Sequence, residues 1–239
     1  MTAVPGSEDE AVAVQLALRE RVVTDVPLGR EPRLVAGVDV AYAEGSDLVA
    51  GAVVVLEYDT LTVVEKVTVT GVAGFPYVPG LLAFREIPVL QEALAMLTVT
   101  PDLLVCDGYG IAHPRRFGLA SHLGVLTGIA AFGVGKTAFI GSYGEVGAER
   151  GSWAALVEGH ETLGRVLRTQ KNVKPVFVSP GHLIDVEGSA EITLRLSPKY
   201  RLPETTRLAD QASRVALKLR LDSGDGDGGD DVAHGGAAG

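Results

Sequence analysis

Four carboxylates stand where their surroundings call for an explanation. Asp39 lies inside the apolar run Leu34–Tyr42 (LVAGVDVAY), where an ionised side chain costs several kcal/mol unless it is paired or bound to a cation. Asp107 follows the apolar run Leu-Leu-Val-Cys and opens the glycine-flanked turn Asp107-Gly108-Tyr109-Gly110. Open α/β sheets bind ligands at such a carboxyl end of a strand. Glu86 sits early in a helix-like stretch, and Asp210 lies late in the chain within Thr206–Leu221. Singly, each has an ordinary reading: a salt-bridged Asp39, a turn-forming Asp107, a solvated Glu86 or Asp210. Together they make a set of hard oxygen ligands suited to magnesium or manganese. Cations held this way activate a water for in-line attack on a phosphodiester and stabilise the leaving oxygen. The chemistry implied is nucleic-acid cleavage.

The elements that must position them follow from periodicity. Leu34–Tyr42, Leu48–Leu56 and Leu61–Thr70 are β-branched runs separated by short polar turns, which predicts an antiparallel three-strand meander. Leu81–Leu97 is predicted helical despite Pro88, and Asp102–Cys106 reads as a short buried strand. Reached through a helix, that strand is expected to run parallel to its partner. An amphipathic helix is predicted from Glu8 to about Val23, its apolar residues being Val12, Leu16 and Leu18. Helices at Ala120–Phe132 and Thr206–Leu221 and a strand at Val176–Ser179 complete the pattern. A meander, a helix and then a parallel strand is the ribonuclease H-like order, so the expected fold class is α/β, a mixed β-sheet flanked by helices in a single domain. In that frame Asp39 and Asp107 lie on adjacent central strands, with Glu86 on the helix between them in sequence.

Composition narrows the classes further. The single cysteine, Cys106, allows no internal disulfide and no cysteine-based metal site, which fits a reducing compartment. Of the net charge of −9, five charges belong to Asp residues of 222–239, leaving −4 on the remainder. A generally basic nucleic-acid binder is disfavoured, although a local basic groove is compatible with that balance. No apolar run approaches the roughly 20 residues needed to span a bilayer, and the acidic N-terminus carries no export signal. A cytoplasmic monomer is expected. Residues 222–239 hold seven Gly and five Asp and are expected to be a disordered tail.

Gly133-Val134-Gly135-Lys136-Thr137 invites a nucleotide-binding reading, but the pattern needs a glycine at position 130, which is Ala130. A phosphate-binding loop also runs from strand into helix. Here the helix predicted over Ala120–Phe132 precedes the motif, and TAFIG after it reads as strand.

Five ordered blocks resemble the endonuclease V family of deaminated-purine repair nucleases. They are VAGVDVAY at 35–42, PYVPGLLAFREIPVL at 76–90, PDLLVCDGYGIAHPRRFGLASHLGVL at 101–126, VFVSPGHLIDVE at 176–187 and YRLPETTRLAD at 200–210. The resemblance implies a catalytic domain over residues 1–221 that uses magnesium, with manganese as a substitute. It implies cleavage of DNA at the second phosphodiester bond on the 3′ side of deoxyinosine, leaving 3′-hydroxyl and 5′-phosphate ends. Inosine-containing RNA as substrate, or a non-cleaving inosine binder, are the alternatives. By motif, Asp39, Glu86 and Asp107 match the family's metal-binding carboxylates and Asp210 a further ligand. Lys136 matches a catalytic cation that contacts phosphate or the leaving group. Pro76, Tyr77, Val78 and Pro79 resemble a wedge inserted beside the lesion; an ordinary loop with Tyr77 packed on the core is the competing reading. Gly80, Leu82, Gly108 and His113 match the pocket for the flipped base, and Arg115 and Arg116 are candidate phosphate contacts. Two positions depart from the family pattern: Tyr109, where many relatives carry histidine, and Gly135, where alanine is usual.

Overall fold

The computed structural model describes residues 4–224. The β-branched runs pair as their short turns require: β1 (Leu34–Tyr42), β2 (Leu48–Glu57) and β3 (Val63–Val72) form the antiparallel meander. Helix α2 (Ala83–Ala95) then returns the chain so that β4 (Leu103–Asp107) pairs in parallel with β1. Further on come α3 (Leu119–Thr127), β5 (Ala130–Gly135), the hairpin β6 (Trp153–Glu158) and β7 (Glu161–Leu167), β8 (Val176–His182), α4 (Val186–Arg195) and α5 (Glu204–Gly224). They complete one eight-stranded sheet of order β3-β2-β1-β4-β5-β8-β7-β6. N-terminal helix α1 (Glu8–Arg19) lies outside the sheet, and Ala11 clusters with Phe75, Leu81 and Phe84.

Strand alternation divides the core into two layers. Ala36 and Val38 of β1 and Leu104 and Cys106 of β4 meet Ile87 and Leu90 of α2 and Leu123 of α3. Val35, Leu103 and Val105 face the other way, onto Ile192 and Leu196 of α4 and its end, and Ala209 and Ala212 of α5.

Several expectations are corrected. Helix α1 ends at Arg19 rather than near Val23, and its buried residues are Ala11 and Gln15, whereas Leu16 is exposed. The helix expected over Ala120–Phe132 stops at Thr127, because Gly128 adopts φ 69° and returns its N–H to the Gly124 carbonyl. A left-handed glycine cap of this kind ends a helix. The apolar residues beyond it enter the sheet as β5, parallel to β4. The GVGKT motif therefore begins inside β5, but no helix directly follows it and Thr137–Gly141 is not a strand, so the phosphate-loop context is still missing. Sequence reading omitted β6, β7 and α4. Helix α5 continues to Gly224, three residues into the stretch read as a tail; residues 225–239 lie outside the described residues.

One close crossing sets the position of α5. A Cβ on Gly37 in β1 would lie 2.1 Å from the Thr205 carbonyl oxygen, in the first turn of α5. The helix thus rests directly on the strand backbone two residues before Asp39. Backbone against backbone cannot yield as a side-chain tip can. Gly37→Ala is expected to destabilise the protein by about 3 kcal/mol or more. Gly29→Ala, with nothing within 4 Å of the added carbon, should unfold at nearly the wild-type urea midpoint; equal midpoints for the two variants would refute the crossing.

Candidate active site

The parallel register places Val38 opposite Cys106, so Asp39 and Asp107 follow side by side on the two central strands. Asp39 Oδ2 accepts a 2.7 Å hydrogen bond from Ser213 Oγ of α5. One turn earlier on that helix, Asp210 Oδ1 accepts from the Arg214 guanidinium at 3.0 Å. Lys136, the first residue after β5, sets its Nζ 2.5 Å from Asp107 Oδ2. Glu86 arrives from α2, is buried, and accepts a 2.8 Å hydrogen bond from the Tyr42 hydroxyl at the end of β1. Asp39, Tyr42, Glu86, Asp107, Lys136 and Asp210 all border one cavity of about 690 Å³.

Two of these carboxylates, Asp39 and Glu86, are held out of their ordinary range. Burial raises Asp39 to about 6 against the Ser213 hydrogen bond, and the nearby charges of Asp107 and Asp210 add to the rise. Burial raises Glu86 to about 8 despite the Tyr42 bond, with Asp39 and Asp107 contributing. Burial works against the Lys136 ammonium, but its bond to Asp107 and the fields of Asp107, Asp39 and Asp210 outweigh it and hold the pKa above normal. Burial likewise pushes the Cys106 thiol up, which keeps it protonated and unreactive. Among the described residues, no three His, Cys, Asp or Glu side chains stand close enough to hold one ion in common. The donor set nevertheless fits a hard divalent cation, because it consists of oxygen ligands whose mutual repulsion a positive charge would relieve.

A second cavity, of about 390 Å³, meets the first at Glu86, Asp107 and Lys136. Its wall includes Tyr77, Pro79, Gly80, Leu82, Gly108 and His113. Of the other wedge residues, Pro76 is exposed and Val78 packs with the Phe75–Leu81–Phe84 cluster. Tyr77 is 71% exposed, so it is not packed on the core. The loop is anchored at its base by Arg85, whose Nη1 donates to the Phe75 carbonyl at 2.6 Å.

His113 is buried and lowered to about 4, first by burial and then by the neighbouring Arg115 charge. Its Nδ1 accepts from the Arg115 backbone N–H at 3.2 Å, so Nε2 carries the proton and donates to the Gly80 carbonyl at 3.0 Å. The two arginines are already engaged. Arg115 Nη2 donates to Gly80 O at 2.7 Å and its Nε to Gln15 Oε1, and Arg116 pairs with Glu158 and Glu161. Both guanidiniums are thus tied to protein partners in this arrangement.

The two departures are one feature. Tyr109 stacks on Phe139, with ring centroids 5.3 Å apart, and its hydroxyl donates to the Thr137 carbonyl at 3.1 Å. A Cβ on Gly135 would lie 2.7 Å from Tyr109 Cε1. The missing side chain at 135 makes room for the ring at 109.

The endonuclease V family profile matches residues 16–211. An endonuclease V of Streptomyces avermitilis is 57% identical over 216 residues, covering 90% of this chain and 94% of its own. A crystal structure of the S. avermitilis endonuclease V superposes with TM-score 0.88 at 56% identity, covering 92% of this chain and 96% of that one. The Ciona intestinalis endonuclease V, solved in complex with a 24mer DNA containing an inosine followed by a ribo-adenosine, gives TM-score 0.78 at 30% identity, covering 89% and 98%. The fold is thus that of a ribonuclease H-like nuclease, an enzyme that hydrolyses phosphodiester bonds. The chain belongs to the endonuclease V family.

Sequence reasoning missed the residues that hold the named ones. Ser213 lies three residues after Asp210 on α5, a helical spacing that could have flagged it as a neighbour of the same site. Arg201 Nη2 donates to the Lys136 carbonyl at 2.6 Å, a link across the sequence that no local pattern announces.

Two outcomes follow from the charges and the ring. Ionising Asp39 and Glu86 in metal-free protein opposes folding: their contribution is whole below their ordinary values of 3.8 and 4.5 and is lost as pH rises through about 6 and about 8. His113 and His122, both lowered to about 4, act oppositely, their contribution being whole above 6.5 and lost as pH falls toward 4. In EDTA, Glu86→Gln should gain melting temperature over wild type progressively from pH 6 to pH 9; a gain independent of pH would refute the assignment. Gly135→Ala should lower both melting temperature and cleavage, and adding Tyr109→Ala should restore stability; an undisturbed Gly135→Ala single variant would separate the two positions.

Proposed function

We propose that this chain is a magnesium-dependent DNA repair endonuclease. It recognises deoxyinosine and cleaves the second phosphodiester bond on its 3′ side, leaving 3′-hydroxyl and 5′-phosphate ends, and it acts as a monomer. The observation that carries the reading is the junction of two cavities, one bounded by carboxylates and one by glycines and an exposed tyrosine, along the shared wall of Glu86, Asp107 and Lys136. A purine held in the smaller cavity leaves its own strand to continue across that wall. The inosine-containing DNA bound by the Ciona relative supports the choice of base.

Each residue has a role that its surroundings can sustain. Tyr77, exposed and flanked by Pro76 and by Val78-Pro79, is a stiffened wedge able to fill the space left by an extruded base. Hypoxanthine presents a 6-oxo acceptor and an N1–H donor, and Gly80, Leu82 and Gly108 line the smaller cavity, where the two glycines let backbone approach a bound base closely. His113, neutral and engaged at both nitrogens, closes the pocket with its ring rather than by accepting a proton. Asp39, Glu86, Asp107 and Asp210 are the residues that would hold magnesium, or manganese in its place. Such a cation, when bound, supplies an activated water and neutralises charge on the leaving oxygen. Lys136, protonated and half exposed beside Asp107, adds a fixed positive charge for the scissile phosphate.

An inosine-directed ribonuclease is the second reading. It is favoured by the ribo-adenosine that follows the inosine in the Ciona complex, since a 2′-hydroxyl beside the lesion is what distinguishes the two substrates. A gel assay with an end-labelled duplex holding one deoxyinosine, its adenine control and an RNA counterpart, with magnesium or EDTA, decides between them. A magnesium-dependent nick one nucleotide beyond the inosine in DNA is expected. Preferential cleavage of the RNA would move the substrate, and retention without cleavage would leave a binding module. Asp39→Asn should slow the nick on the order of 10³-fold while leaving binding largely intact; a fully active variant would remove the mechanism.

A further inference from the structure

Gln15 is fully buried on α1, a helix that carries none of the site's carboxylates. A buried amide is costly unless its donors and acceptor are met, and here all its partners belong to the recognition pocket or its backing. Gln15 Nε2 donates to the Gly80 carbonyl at 3.0 Å and to the Phe117 carbonyl at 3.3 Å. Its Oε1 accepts from Arg115 Nε, and Arg115 Nη2 donates to the same Gly80 carbonyl at 2.7 Å. His113 Nε2 is the third donor to that oxygen, at 3.0 Å.

Three side chains from two distant segments therefore converge on one carbonyl, and Gln15 bonds both the carbonyl and one of its other donors. Gly80 has φ +80°, a region where glycine moves freely and little else holds a peptide in one orientation. It also joins the exposed Tyr77 loop to the start of α2 and lines the smaller cavity. An apolar residue at position 15 would fill the space, but it would leave Arg115 Nε without its acceptor and the Gly80 and Phe117 carbonyls each short of a donor.

We propose that Gln15 is a positioning residue for base recognition: by fixing the Gly80 carbonyl together with Arg115 and His113, it sets the orientation of the Gly80–Leu82 wall and of the loop that carries Tyr77. This rests on the pocket being the base-binding site proposed above. Helix α1 is then part of the specificity apparatus although it reaches neither cation nor phosphate.

The test uses full-length Gln15→Met, which matches the size but has no amide, and Gln15→Glu, which keeps an acceptor for Arg115 but loses the donors to both carbonyls. Each is measured by steady-state cleavage of the deoxyinosine duplex with magnesium and by amide hydrogen exchange. Both variants should raise KM by about tenfold or more with kcat within about threefold, as expected when ground-state positioning is lost. Exchange at Gly80–Ala83 should quicken while the amides of β1 and β4 remain protected. Wild-type KM and exchange in both variants would overturn the proposal. So would a joint loss of kcat, KM and protection across the central strands, since that is a general fold defect. If wild-type protein fails to nick deoxyinosine with magnesium or manganese, the substrate reading falls, and local exchange alone decides whether Gln15 holds the Gly80 wall.

Discussion

The parallel pairing of β1 with β4 brings two carboxylates together at the centre of the sheet, and the burial of charge there, to which their mutual repulsion adds, is the constraint the surroundings answer. Each neighbour offsets part of that cost without cancelling it: Ser213 by a hydrogen bond to Asp39, Lys136 by an ion pair with Asp107, and Tyr42 by a hydrogen bond to Glu86. A fold selected for stability alone would place aliphatic side chains here, since well-packed apolar groups commonly equal or exceed buried charges. Buried carboxylates gathered at one point of the sheet fit the cation proposed for the site, whose binding would add to the stability of the fold.

Two close contacts convert sheet geometry into site geometry. The Gly37–Thr205 crossing lays the first turn of α5 on the β1 backbone, so that Asp210 and Ser213, further along the helix, come to the Asp39 end of the strand. On the opposite layer, α2 delivers Glu86, and its Arg85 ties down the Phe75 carbonyl at the root of the Tyr77 loop. The same helix thus serves both cavities, with Ala83 lining the smaller one and Glu86 standing where the two meet.

Much of this was legible in the sequence because it was local. The meander followed from β-branched runs with two short turns, and Asp39 and Asp107 were conspicuous because each interrupts or ends an apolar run. What escaped was set by contacts between distant segments. Gly128 was a stop signal read through, since Ala130 and Ala131 suit a helix as well as a buried strand. The β6–β7 hairpin alternates burial only weakly at the edge of the sheet, so its period is faint. The burial of Gln15, a polar residue on an amphipathic helix, is explained by backbone carbonyls 65 and 102 residues away. Arg115 and Arg116, read as candidate phosphate contacts, also hold Gln15, Gly80 and two glutamates, partners that no local pattern announces.

The fit of the Tyr109 ring into the space beside Gly135 ties two strand ends together mechanically. A methyl group at 135 would press on the ring edge, and the ring's stack on Phe139 and its hydroxyl bond to Thr137 resist the shift that would relieve it. A disturbance after β5 is therefore passed to the turn after β4 through side-chain contact, without any movement of the strands themselves.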